Sequence, residues 1–266
     1  MSVGTQSVSS SVLNTLTSIQ QKTNKLHTEL TTNKNILDPA QQGIVTRLTS
    51  QVNGFEAAQT NMSKYQNVLS VTQTGLSSIS ALLTQMQSIA NSSNDPSVTS
   101  ATAATNQKTL AALVVQIAQS SSSSQIDGVG LLASSSVDLD VQTGLTTADK
   151  TTLTAVPSDT TSLGIASLDV STQAGAAAAI TALATALGKI SASQSSVASN
   201  QLALTNTAAL DASISQSLTS TIDAIQKPNA ADIQQQLSEL STANSINLWA
   251  LNQINTQASS VLSLFR

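Results

Sequence analysis

Between Pro39 and Asn94, Leu48, Phe55, Met62, Leu69, Leu76, Leu83 and Ala90 recur at seven-residue steps. Ile44, Ala58, Tyr65, Ile79 and Met86 occupy a companion position, with Gln51 and Thr72 as polar breaks. A seven-residue apolar period held over this length is a coiled-coil pattern. It predicts a helix over 39–94, roughly 80 Å long at about 1.5 Å per residue. A helix that long with one apolar stripe must lie along a partner. The step returns with Leu183, Ile190, Val197, Leu204, Leu218 and Ile225, and with Ile180, Leu187, Ala208 and Ile222 beside them. That predicts a second long helix over 175–226. Asp211 occupies a seam position in it. The reading preferred from sequence is a local rotation that leaves Asp211 wet. The alternative is a buried polar residue that sets register.

A shorter helix over 97–119 carries Leu110, Leu113, Val114 and Ile117 on one face. Prolines punctuate the pattern. Asp38-Pro39 and Asp95-Pro96 read as N-caps followed by proline at the first helical position. Lys227-Pro228-Asn229 marks another break. The run Ser120–Ser124 reads as a helix exit. From about 125 to 170 the pattern changes. Val137, Leu139 and Val141 alternate with Asp138 and Asp140, among turn glycines and threonines, and predict one or two β-hairpins.

The two ends mirror each other. Val12, Ile19 and Leu26 step by sevens, with Leu16, Leu30 and Leu37 as companions. Ile233, Leu240, Ile254 and Val261 form one late seam, and Leu237, Leu251, Ala258 and Phe265 the other. Amphipathic helices over 1–37 and 229–266 can pair and still hold apolar surface for neighbours. The expected fold class is mainly α: a long antiparallel coiled-coil rod over 38–228, a small β-hairpin region and paired terminal helices.

Composition supports thin helix seams over a thick core. Aromatics are only 2% and charged residues 9% of 266, whereas compact cores rely on large side chains. A net charge of −4 gives no basic footprint for nucleic acid. With no cysteine and one histidine, His27, a cysteine- or histidine-built metal site is excluded. A catalytic triad would need His27, which falls among polar residues on a terminal helix. Gly128-Val129-Gly130-Leu131-Leu132-Ala133 fits the letters of a dinucleotide fingerprint. It lacks the preceding strand and following helix that motif needs, and reads as a hairpin turn. Asp138 and Asp140 are two carboxylates where Ca²⁺ wants six or more oxygens. They read as solvated. No catalytic residue, cofactor or metal is expected. No run of 18 apolar residues predicts a membrane span, and the start lacks the pattern of a cleavable signal peptide.

The arrangement resembles bacterial flagellin along its full length. "NQINTQASSVLSLFR" is similar to the flagellin ending, and "RLTSQVNGFEAAQTN" to the opening of its first long helix. "IDGVGLL" resembles its hairpin turn, and "LGIASLDVSTQAGAAAAITALATAL" the return into its late helix. The stretch after Leu30, "TTNKNILDPAQQG", departs from the family and is about one helical turn shorter. No long insertion separates Val141 from Leu163.

The resemblance implies a filament subunit, exported through the flagellar type III apparatus and working outside the cell in motility. It implies self-association, with an export chaperone, a filament cap and hook-junction proteins as further partners. Val12, Leu16, Ile19, Leu26, Leu251, Ile254, Val261, Leu262, Leu264 and Phe265 are then the expected polymer-core contacts. Leu48, Phe55, Met62, Leu69, Leu76, Leu83, Leu183, Ile190, Val197 and Leu204 are the expected rod seam. Gln85, Gln87 and Ser88 stand where many flagellins carry charged residues, which implies weak binding to the animal flagellin receptor. A hook–filament junction protein and a cytoplasmic signalling coiled coil are the alternatives. The hairpin region and the few charged seam-flanking positions speak against the second.

Overall fold

The computed structural model describes the backbone of residues 2–263 and the side chains of residues 7–260. In chain order the elements are α1 (Ser2–Thr32), α2 (Pro39–Ser93), α3 (Ser100–Ser123), β1 (Gln125–Ile126), β2 (Val129–Gly130), β3 (Leu139–Gln142), β4 (Lys150–Leu153), α4 (Thr160–Leu163), α5 (Gln173–Gln226) and α6 (Ala230–Ser263). The fold is mainly α, with two small antiparallel strand pairs, β1–β2 and β3–β4. Contacts divide the chain into two compact units, Gln51–Gln216 and Met1–Ser50 with Ser217–Arg266. The division falls within α2 and α5, not at the proline breaks.

In the first unit, α2 and α5 run antiparallel. The Gln66 side chain bonds Thr205 at 3.3 Å, and the Gln173 side chain donates to the Asn94 carbonyl oxygen at 3.1 Å. The seven-residue pattern becomes a dry seam. Met62, Leu69, Leu76, Leu83, Leu183, Ile190, Val197 and Leu204 are fully buried. Each such side chain contributes about 1.5–3 kcal/mol of transfer free energy. Phe55, where the seam nears the end of this unit, is only partly buried, as is Leu48 in the other unit. By length and composition alone, α5 and α6 contain a stretch apolar enough to cross a membrane. Alanine supplies much of that character in α5. Its stripe of Ala176, Ala179, Leu183, Ala186 and Ile190 is committed to the protein core.

Two local expectations need correction. The third helix spans Ser100–Ser123, not 97–119, and its N-cap is Thr99, not Asp95. Asp95 instead accepts hydrogen bonds from the Ser97 backbone and hydroxyl, forming a turn ahead of the helix. At α2, Asp38 does cap. Its carboxylate accepts from the Gln41 N–H at 2.8 Å while the Gln41 side chain accepts from the Asp38 N–H, a reciprocal capping box.

Helix α3 returns beside α2, tied by Asn106 to Ser93 at 2.8 Å. It buries Leu110, Leu113 and Ile117. Gln107 donates to the Leu168 carbonyl oxygen and accepts from the Val170 N–H, fixing the segment ahead of α5. Asp127 and Gly128, at φ 52 and 77, make the turn of β1–β2, the positive-φ pair a two-residue hairpin needs. Val141 and Leu153 bury one face of β3–β4. Val137 stays exposed ahead of β3, so the alternation begins later than its first residue suggests.

Candidate interaction surface

In the other unit, α1 packs on α6. At one end of the pair Lys22, Leu26 and Glu29 share a groove with Asp232, Ile233, Gln236 and Leu240. Late α1 therefore lies beside early α6, and the two helices are antiparallel. Ile19, Leu26 and Ile233 are buried. Val12, Leu16, Leu237, Leu240, Leu251, Ile254 and Ala258 are partly buried. The seven-residue steps of the two ends thus form a seam inside one chain.

This placement bears on the expected polymer-core residues. Val12, Leu16, Ile19, Leu26, Leu251 and Ile254 belong to the face where α1 and α6 meet. The side chains of Val261 and Leu262, and all of Leu264 and Phe265, lie outside the described residues. A different apolar set is open to solvent: Val8, Leu13, Ile246, Leu248 and Trp249, with Trp249 65% exposed and Ile246 60%. Ile246 and Trp249 are three apart and share one helix face. Sequence reasoning passed over them because they are off both seven-residue seams. Their off-seam position was itself the available signal, since a helix paired on one side has no internal use for a second apolar face.

The connector after α1 is tightly held. Asn33 takes φ 51, ending the helix in the left-handed conformation that asparagine tolerates. Buried Glu29 accepts from the Ile36 N–H at 2.9 Å and lies 3.7 Å from the Lys25 ammonium. Asn35 bonds the end of α5 through both backbone and side chain.

The candidate chemical residues are accounted for singly. His27 is exposed on α1. The glycine motif is the β1–β2 turn, with a strand and no helix after it. Asp138 accepts from the Ala155 N–H at 2.8 Å. Asp140 accepts from Lys150 and Thr152. The Lys150 hydrogen bond, then that from Thr152, holds its carboxyl below the usual carboxylate range. Among the described residues, no group of three or more histidine, aspartate or glutamate side chains is placed to hold a metal.

Asp211 overturns the reading preferred for it. It is 4% exposed, with one carboxylate oxygen fully buried and without a hydrogen-bond partner. Burial, then the nearby charge of Asp149, pushes its carboxyl above the usual range. Loop 143–149, between β3 and β4, covers it. Leu145 comes so close to α2 that a Cβ on Gly54 would lie 2.5 Å from its Cδ2.

Residues 3–137 match the family model of the bacterial flagellin N-terminal helical region. The crystal structure of Bacillus cereus flagellin superposes with a TM-score of 0.52 at 24% identity, over 56% of this chain and 87% of that one. At that identity the likeness establishes the fold. No curated protein matches the chain.

Proposed function

Since the chain belongs to the bacterial flagellin family, we propose that it is the structural subunit of a flagellar filament that serves motility. The observation that carries this reading beyond family membership is the set of large apolar side chains that the terminal pair leaves exposed. Val8 and Leu13 on α1, and Ile246, Leu248 and Trp249 on α6, remain in water after α1 and α6 have covered each other. Apolar side chains repeated in every subunit of a helical polymer can be buried by heterologous contacts with its neighbours.

In this reading, 1–37 and 229–266 form the inner core of the filament and 38–228 its outer rod, with the hairpins toward solvent. The sequence-derived set joins the contact in two ways. Val12, Leu16, Leu251 and Ile254 keep part of their surface for neighbours, and Val261, Leu262, Leu264 and Phe265 are contact residues by the family resemblance alone. Ile19 and Leu26 hold the pair together. The protein works outside the cell, reached by flagellar type III export. An export chaperone, the filament cap and hook-junction proteins are its further partners. Gln85, Gln87 and Ser88 on α2 provide no charged anchor for the animal flagellin receptor, so receptor activation is weak.

The test is polymerisation of purified protein by salting out, followed by sedimentation and negative-stain microscopy. Long uniform filaments are the expected product. Soluble dimers with no filament under any seeding or salt condition would remove the proposal.

A further inference from the structure

Asp211 follows Leu204 by one seven-residue step, so its carboxyl group sits where the seam of α2 and α5 would continue. Loop 143–149 closes over that place, with Leu145 packed against Gly54 of α2. Oδ2 of Asp211 has almost no accessible surface and no hydrogen-bond donor. An open cavity of about 500 Å³ runs beside the contact, lined by Phe55, Leu145, Ala148 and Asp149, but the idle oxygen does not reach it. An ionised carboxylate left dry and unpaired is the costly state of this arrangement, and the neutral acid is the favoured one.

The charges around Asp211 favour the same state. On α5 no other charged residue stands between Lys189 and Asp223. Helix α2 presents Gly54 and Phe55 here, and the adjoining Glu56 is exposed. On β4 the Lys150 ammonium is paired with Asp140 of β3. The loop itself contributes Asp149. Its carboxylate accepts from the Thr146 N–H and hydroxyl, both at 2.8 Å. The bond from the Thr146 backbone, then that from its hydroxyl, holds Asp149 below the usual carboxylate range. Asp149 is therefore already negative when Asp211 loses its proton. The two like charges part by moving the loop, because Val197 and Leu204 fix α5 in the seam.

We propose that loop 143–149 is a pH-operated flap, seated on α2 and α5 while Asp211 is protonated and released when it ionises. The seated form holds the proton more tightly than the open one, so seating takes up a proton. Seating is strongest below the ordinary aspartate value of about 4. Above that it weakens by up to about tenfold per pH unit, because one proton separates the two forms. The decline ends above the raised value of the seated carboxyl. The flap lies at the Phe55 end of the seam, beyond the fully buried Met62 and Leu204.

The experiment follows full-length monomer carrying ¹³C-methyl leucine from about pH 4 to about pH 8. It reads the Leu145 methyl signals, identified by their absence in Leu145→Val. In wild type these signals should move between two positions, with the midpoint of the Asp211 carboxyl carbon. In Asp211→Asn, which cannot ionise, they should keep the acid position throughout. Asp149→Asn should lower the midpoint and shrink the movement, because ionised Asp211 then meets no like charge under the seated loop. Leu145 signals that hold still in wild type, or that move equally in Asp211→Asn, overturn the flap. An unchanged transition in Asp149→Asn overturns it too, so the test does not depend on Asp211→Asn folding. Monomer is measured throughout, so the result is independent of polymerisation.

Discussion

Asn35 fastens the turn after α1 onto the end of α5: its N–H donates to the Gln226 carbonyl oxygen at 2.7 Å, and its Nδ2 to the Ile225 carbonyl oxygen at 2.9 Å. These are the last turn of α5, where carbonyls have no partner within the helix. Replacing Asn35 with alanine removes the side-chain donor. The loss should be about 1 kcal/mol, up to about 3 if the carbonyl stays dry. Hydrogen exchange at 222–227 should speed up in Asn35→Ala and stay unchanged at 180–200. Uniform protection in both variants would show that the bond contributes nothing.

Glycines in the long helices divide by what surrounds them. A Cβ on Gly75 of α2 would lie 2.1 Å from the Ser124 hydroxyl and 2.7 Å from Leu132 Cδ1, while one on Gly188 of α5 meets nothing within 4 Å. Gly188→Ala should therefore stabilise the protein by roughly 0.5–1 kcal/mol through helix propensity. Gly75→Ala should lose about 1–3 kcal/mol from overpacking, more than propensity returns. Urea denaturation of the two variants compares them directly, and equal effects would deny the close approach.

Asp140 and Asp211 respond to acid with opposite signs. Hydrogen bonds from Lys150 and Thr152 depress the Asp140 carboxyl. Its contribution is complete above the unfolded value and fades as pH falls through the depressed folded one. Burial, followed by the charge of Asp149, raises Asp211. Its neutral form contributes stability below the unfolded value, and that is lost as pH rises through the raised one. Asp211→Asn should be more stable than wild type near neutral pH, with the gap closing toward pH 4. Paired melts across that range check it, and a gap independent of pH would contradict the sign.

Trp249 and Ile19 separate assembly from folding. Trp249 is exposed on α6, and Ile19 is buried between α1 and α6. Trp249→Ser should keep monomer stability within about 0.5 kcal/mol. It should raise the concentration needed for polymerisation about tenfold or more, because an apolar side chain of this size contributes at least 1.5 kcal/mol when buried. Ile19→Ala should lower monomer stability by about 2 kcal/mol or more. Normal filaments from Trp249→Ser at wild-type concentrations would take the off-seam face out of the contact.

The seven-residue steps settled much of the fold before any coordinates. Met62 to Leu83 and Leu183 to Leu204 are dry because a helix repeats its face at that spacing. The breaks at Pro39 and Pro228 were legible for the same local reason. The Asp127–Gly128 turn was legible too, because only certain residues accept positive φ. The fate of Asp211 was not. Periodicity places it on the seam, but whether water reaches it depends on loop 143–149, folded over from a strand pair far away in sequence. The face of α6 carrying Ile246 and Trp249 showed in the sequence only as apolar residues off both seams. One stripe on each terminal helix can be used inside the chain or between chains, and only the packing of α1 on α6 decided which residues were spent inside and which stayed in water.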